Sequence, residues 1–340
     1  MRPIRLTVSL CLAILALLGF ARLTVAQEEV YIRVVDVGPG LCAITRIPGP
    51  YFMVYDSGHW LNDRCLDAAK DIIQDNDIDL LILSHNDADH IGRLDNLLSA
   101  FHAKVILRTG YQRPSRATWR AMNRAIATET EFQATVINLA TYPLRPGFVF
   151  TLGDANIQFI RGDAEWPDKL ATGLSRAELR NVISIVTRLE YKGRAVLFTG
   201  DTVGRRHDSG SDDCSYAEAE MVRRADDVPI QSEIMLVPHH GSNTSSSNCF
   251  IEAVSPDYVI VSAGHAHAHP RKEAMERYLN FVPAEKIFRT DRGDDEGAKE
   301  WDYMRVPGCS DSAGDDDVEL FLSEVGISAR YRDQPAPEGC

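Results

Sequence analysis

Four residues with metal-binding side chains fall within six positions: His85, Asp87, Asp89 and His90, in the run His85-Asn86-Asp87-Ala88-Asp89-His90. Imidazole and carboxylate groups at such density suit divalent cations, which activate water and polarise the bond it attacks. Leu80-Leu81-Ile82-Leu83 stands immediately upstream and predicts a buried strand. That strand has to stop at Ser84, because histidine and aspartate are costly to bury unless paired or metal-bound. Downstream, Ile91 to Leu98 carries apolar residues at helical spacing. The ligand-rich turn therefore sits between strand and helix, a usual place for sites in α/β folds. A turn this tight can send His85 and Asp87 one way and Asp89 and His90 the other, which suits two cations. Three more strand ends carry the same chemistry: Asp201 after Ala195 to Phe198, His240 after Glu233 to Val237, and His265, His267 and His269 after Tyr258 to Ser262.

The elements that must hold these residues are legible in outline. Val30 to Val37 reads as a strand, broken by Gly38-Pro39-Gly40. Ala43 to Ile47 and Tyr51 to Tyr55 form a hairpin around Pro48-Gly49-Pro50. Cys65 to Gln74 reads as a helix, Asp79 to Ser84 and Val105 to Leu107 as strands, and Ser115 to Thr128 as a helix bearing Arg116, Arg120 and Arg124 on one face. A second strand-rich half begins near Phe148. In it, Val182 to Glu190 pairs with Ala195 to Phe198, and Cys214 to Arg224 is helical. Val318 to Leu322 and Ile327 to Tyr331 make a terminal hairpin. Two β-rich halves with helices outside predict an α/β fold, a four-layer αββα sandwich. It comprises a catalytic domain over residues 27–308 and a C-terminal β-hairpin extension over 309–340.

The first 26 residues read as a signal peptide: Arg2 and Arg5 precede an apolar stretch from Leu6 to Phe20, and Thr24-Val25-Ala26 offers a cleavage site. The expected mature protein is exported, periplasmic or secreted, with no membrane span. The formal net charge is −13, and loss of Arg2, Arg5 and Arg22 lowers it to −16. Such a protein is soluble, and its long-range field does not attract nucleic acid. The six cysteines outside the leader are consistent with disulfides in an oxidising compartment. Cys214–Cys249 and Cys309–Cys340 are the expected pairs.

Taken together, these motifs resemble the metallo-β-lactamase superfamily, and within it the hydrolase domain of ComEC-type competence proteins. The resemblance is carried by Asp36-Val37-Gly38-Pro39-Gly40, Tyr55-Asp56-Ser57-Gly58, Ser84 to Gly92, Asn181-Val182-Ile183-Ser184, Phe198-Thr199-Gly200-Asp201, Val237 to Ser242 and His269-Pro270. It runs from about Val30 to Gly293. It implies that His85 and Asp87 hold a first metal, with Asn181 near a position that other members fill with histidine. Asp89, His90 and His240 then hold a second, and Asp201 bridges the two. Asp89 and His269 are the implied catalytic residues, His269 donating a proton or holding a substrate oxygen. His239 packs beside the site, His265 and His267 lie in a solvent-exposed loop, and Asp36 and Asp56 fasten the motif loops. Two departures stand out: Arg93 occupies a position where glycine often follows, and Leu41 one where the competence group usually has aspartate.

The resemblance implies a two-metal hydrolase with a metal-bridging hydroxide. Zinc fits the imidazoles, and Mn²⁺ is compatible with the added oxygen ligands. Phosphodiester hydrolysis, as in a nuclease or phosphodiesterase, is the leading reading. A β-lactam, lactone or ester hydrolase keeps the metals and changes the bond. A metal-binding protein without turnover is the third reading. The substrate is a small molecule or a phosphodiester, and the acidic charge does not favour long nucleic acid.

Overall fold

The computed structural model describes residues 28–166, 173–210, 212–293, 297–304 and 316–333. The expected signal peptide and the Cys309–Cys340 pair lie outside the described residues. The first sheet contains β1 (Val30–Val34), β2 (Ala43–Ile47), β3 (Tyr51–Tyr55), β4 (Ile78–Leu83), β5 (Ala103–Arg108) and β6 (Thr135–Asn138). β1 to β3 run antiparallel, and β3 to β6 are parallel. The second sheet repeats this plan. β7 (Val149–Leu152), β8 (Ala155–Arg161), β9 (Val186–Tyr191) and β10 (Arg194–Phe198) are antiparallel. β11 (Ile234–Leu236), β12 (Tyr258–Val261) and β13 (Ile287–Arg289) then continue it in parallel. The C-terminal hairpin, β14 (Val318–Ser323) and β15 (Gly326–Tyr331), joins the first sheet by pairing β14 along the whole of β1.

Strand periodicity explains the layers. Leu80 and Ile82 of β4 face the second sheet, where they share a core with Phe159, Leu189, Val196, Phe198 and Ile260. The alternate residues, Leu81 and Leu83, face the opposite way and pack under helices. A parallel strand covered on both faces needs an unbroken apolar run, which is why Leu80 to Leu83 shows no polar alternation. The helices over the first sheet are α1 (Arg64–Ile73), α2 (Ala88–Ile91), α3 (Leu94–Ala100) and α4 (Ala117–Glu131). α5 (Arg176–Val182) precedes β9, and α6 (Tyr216–Arg223), α7 (Asn248–Val254) and α8 (Lys272–Tyr278) cover the second sheet. The result is the expected αββα sandwich.

Local differences from the sequence reading have physical causes. The helix expected from Ile91 is two helices, α2 and α3. Gly92 is extended there and Arg93 is left-handed, at φ 60°. The strand expected from Val182 begins at Val186, because a Ser175–Glu178 capping box starts α5 and carries the chain through Val182 as helix. Among the described residues two disulfides are present, the expected Cys214–Cys249 and also Cys42–Cys65, which fastens α1 to the start of β2.

Phe198 is fully buried between the sheets, its ring 5.2 Å from that of Tyr55. Phe198→Ala should lower the unfolding free energy by about 3–5 kcal/mol in denaturant titration. Val325→Ala, at a position 95% exposed, should change it by less than about 0.5 kcal/mol. Equal effects would contradict the placement of the core.

Candidate metal centre

Every motif residue that converges does so from the carboxyl end of a strand. His85 follows β4, Asp201 follows β10, and His240 follows β11. Asp89 and His90 lie in α2, the short turn of helix after β4. His239 and His240 both adopt left-handed backbone, φ 53°, at a kink in the turn Pro238–Gly241. Strained backbone of this kind is kept where the surrounding structure over-determines it, commonly at functional sites. Close approach tightens the mouth of the site. A Cβ on Gly40 would come within 2.5 Å of the Asp89 carbonyl oxygen, so only glycine fits there.

The Asp56 carboxylate organises the imidazoles. It is fully buried and accepts from the Ser84 N–H at 2.7 Å, the Ser84 hydroxyl at 2.6 Å and His90 Nδ1 at 2.8 Å. With its own proton given to Asp56, Ser84 Oγ is an acceptor for His85 Nδ1 at 3.0 Å. His240 Nδ1 donates to the Ser262 carbonyl at 2.6 Å. The Nδ1 atoms of all three rings are thus engaged, leaving their Nε2 atoms for the centre. Outer partners of this type fix the tautomer and aim of metal-ligating histidines.

The inward atoms meet closely. His90 Nε2 lies 3.1 Å from His240 Nε2 and 3.2 Å from Asp201 Oδ1, while His240 Nε2 lies 3.5 Å from Asp201 Oδ1 and 3.8 Å from Asp89 Oδ2. Ligands about 2.0–2.1 Å from a tetrahedral zinc would stand roughly 3.3 Å apart. Asp201 Oδ2 faces the other way, 3.8 Å from His85 Nε2. Two groups could each hold a metal ion: His85, His90 and Asp201, and Asp89, His90 and His240. His85 is fully buried, yet its Nε2 has no hydrogen-bond partner among the described residues, and neither does Asn181 Oδ1. With Nδ1 turned outward on each ring, His90 and His240 point their Nε2 atoms at each other and at Asp201 Oδ1. A cation between them satisfies that arrangement, so the donor set fits divalent metal.

Charge follows the same geometry. Burial disfavours the ionised form of Asp201, but the nearby imidazoles outweigh it and hold its pKa well below the usual carboxylate range. Burial also opposes a charged His90, yet Asp201 and Asp56 together raise its pKa well above the usual value. Burial, reinforced by His239 and His240, lowers the pKa of His269 well below the ordinary histidine value.

Not every sequence candidate is in this cluster. Asp87 belongs to neither metal-holding group. Arg113 pairs with its Oδ1, and Arg180 Nε donates to the same oxygen at 3.0 Å. Both arginines escaped the sequence reading because they are distant in the chain and belong to no motif. The Arg116, Arg120 and Arg124 face is exposed. His239 contacts Asn181, Nε2 to Nδ2 at 3.0 Å, and Thr244. His269 is half-buried, its ring 6.4 Å from that of His240, whereas His265 and His267 are exposed. Leu41 is buried, and its N–H donates to the Asp89 carbonyl. His59, which belongs to none of the motifs, is buried against Trp60.

The family described as the metallo-beta-lactamase superfamily matches residues 37–265. The chain belongs to the metallo-β-lactamase superfamily. It is a metal-dependent hydrolase of that superfamily and is similar to competence proteins. Competence protein ComA of Neisseria gonorrhoeae is 28% identical over 295 residues, covering 82% of this chain and 34% of ComA. ComE operon protein 3 of Bacillus subtilis (strain 168) is 24% identical over 230 residues, covering 66% of this chain and 24% of the relative. The chain thus spans about a third of the first relative and a quarter of the second. Among solved structures, the metallo-beta-lactamase fold protein YhfI of Bacillus subtilis aligns with a TM-score of 0.44 at 12% identity, covering 76% of this chain and 95% of YhfI.

If Asp56 aims the metal-facing histidines, Asp56→Asn should weaken zinc binding by roughly 10–100-fold. The far-ultraviolet circular dichroism should be retained. Competition titration with a chromogenic chelator measures the constant, and an unchanged affinity would contradict the role.

Proposed function

We propose that this metallo-β-lactamase superfamily member is an exported hydrolase that uses two zinc ions to cleave phosphodiester bonds. The observation that carries the reading is the division of the Asp201 carboxylate, with Oδ1 toward His90 and His240 and Oδ2 toward His85. One carboxylate shared in this way suits a pair of cations. Such a pair lowers the pKa of coordinated water and stabilises both oxygens of an in-line displacement at phosphorus.

The chain's own residues supply the rest. Asp89, His90 and His240 would hold one ion, and His85 would face the other, with Asp201 between them. Asp89 is partly exposed at the mouth and would also orient the attacking water. The depressed pKa of His269 keeps its imidazole neutral, so it would hold a substrate oxygen rather than donate a proton. Asp87 and Asn181 stand where lactamase-type sites more often present imidazole, which favours a phosphodiester over a β-lactam. Export is supported by the Cys42–Cys65 and Cys214–Cys249 disulfides, which persist in oxidising compartments. Among the described residues, no helix is long and apolar enough to cross a membrane.

The zinc-loaded protein should hydrolyse bis(p-nitrophenyl) phosphate, lose that activity to a chelator and regain it with Zn²⁺ or Mn²⁺. Asp201→Ala should reduce kcat/KM by about 10³-fold or more. A fully metallated protein that is inert toward the diester, or that cleaves only a chromogenic cephalosporin, would overturn the reading.

A further inference from the structure

The two halves of the centre are unequally equipped. Asp89, His90 and His240 form one candidate group, and Asp201 Oδ1 lies 3.2 and 3.5 Å from its two imidazoles. The other group is His85, His90 and Asp201; with His90 shared between the two, His85 Nε2 and Asp201 Oδ2 are what remains for this position, with the uncharged amide of Asn181 nearby. Asp87 is the carboxylate that sequence spacing offers to this poorer position, and it is already committed. Arg113 binds its Oδ1 and, through the same Nη1, the Asn86 carbonyl at 2.9 Å. Arg180 reaches Oδ1 at 3.0 Å and Oδ2 at 3.4 Å, and is braced by the Arg176 carbonyl at 2.8 Å. The side chains of Arg113, Arg180 and Asp87 are 14%, 21% and 19% exposed, so the trio is largely shielded from water.

We propose that Arg113 and Arg180 are positioning residues that keep Asp87 as their counter-ion and thereby make the metal position facing His85 much weaker than the one formed by Asp89, His90, Asp201 and His240. The inference rests on the metal-centre reading above. Two effects act together. Guanidinium cannot shed its proton, so pulling Asp87 onto a metal would strand two partly buried cations. Asp87 acts electrostatically on His85, so the two cations that Asp87 binds are held near the position His85 faces, and like charges in a shielded site repel. Among the described residues, the ion pairs of Asp89 and Asp201 are with histidines rather than arginines, so Asp89 stays available to the richer position. The chain therefore loads in order: one ion is held at low free metal, and the second arrives only as free metal rises.

Metal-stripped full chain, equilibrated across a series of buffered free Zn²⁺ concentrations and assayed for bound zinc per chain by elemental analysis, tests this without any turnover measurement. Wild type should show two steps with dissociation constants separated by about 100-fold or more, the order expected when a site lacks supporting ligands. Arg113→Met with Arg180→Met should tighten the weaker step by roughly tenfold or more and leave the tighter one in place. Arg113→Lys with Arg180→Lys keeps both charges and should retain the wide gap. Arg180→Met alone, read by the same assay, serves if the double variant does not fold, and should narrow the gap in the same direction. Two equally tight steps in wild type, or methionine variants with wild-type constants, would overturn the inference and leave the metal centre standing. A chain that binds no zinc at all would overturn the metal-centre reading itself.

Discussion

One buried carboxylate sets the geometry on which the centre depends. Asp56 sits at the end of β3 with left-handed backbone, φ 61°, and its N–H is tied to the Ile82 carbonyl of the neighbouring strand. From there it grips His90 directly and His85 through Ser84. The following residue, Ser57, holds α2 from the other side through the His90 and Gly92 carbonyls. A free imidazole has two equivalent-looking nitrogens, and a loop could present either. Fixing Nδ1 outward removes that choice, so convergence of Nε2 atoms from distant parts of the chain becomes a property of the strand ends rather than of the ligand.

The sandwich makes such convergence possible. In each sheet the parallel strands deliver their carboxyl ends to the same edge, and the interlocked core of Leu80, Ile82, Phe159, Val196 and Phe198 fixes one sheet against the other. A small rotation between the sheets would move Asp201 and His240 away from His85 and His90. Links across the seam oppose it: Ile185 N–H to the Ser84 carbonyl at 2.8 Å, the Tyr55 hydroxyl to the Ile185 carbonyl at 2.5 Å, and Ser262 Oγ to the Gly40 carbonyl at 2.7 Å. The Cys214–Cys249 bridge ties the segment before α6 to the first turn of α7, within the helical layer over the second sheet.

Much of this could be read from the chain because the informative features are local. The apolar run at Leu80 to Leu83 and the polar burst after it mark a strand end wherever they occur. Asp201 and His240 follow strands of the same character, so the αββα architecture and the residues around the centre were accessible from order and type alone. What escaped depends on contacts distant in sequence. Nothing near Asp87 announces that Arg113 and Arg180 hold its oxygens. The break at Gly92 and Arg93 was hidden by apolar spacing that fits one helix as well as two. The edge strands β6 and β7 are short and half-exposed, so they lack the continuous apolar signal of the central ones. The Cys42–Cys65 link joins residues that belong to separate elements in the sequence and become neighbours only when α1 folds back on β2.

The central claim is that imidazoles tethered through Nδ1 present Nε2 to a shared cation. X-ray absorption at the zinc edge of the protein carrying one equivalent of zinc tests it most directly. The structure predicts a shell of nitrogen and oxygen at about 2.0–2.1 Å, with the outer scattering of two imidazoles and no sulfur. A sulfur shell, or zinc surrounded by oxygen with no imidazole scattering, would contradict it.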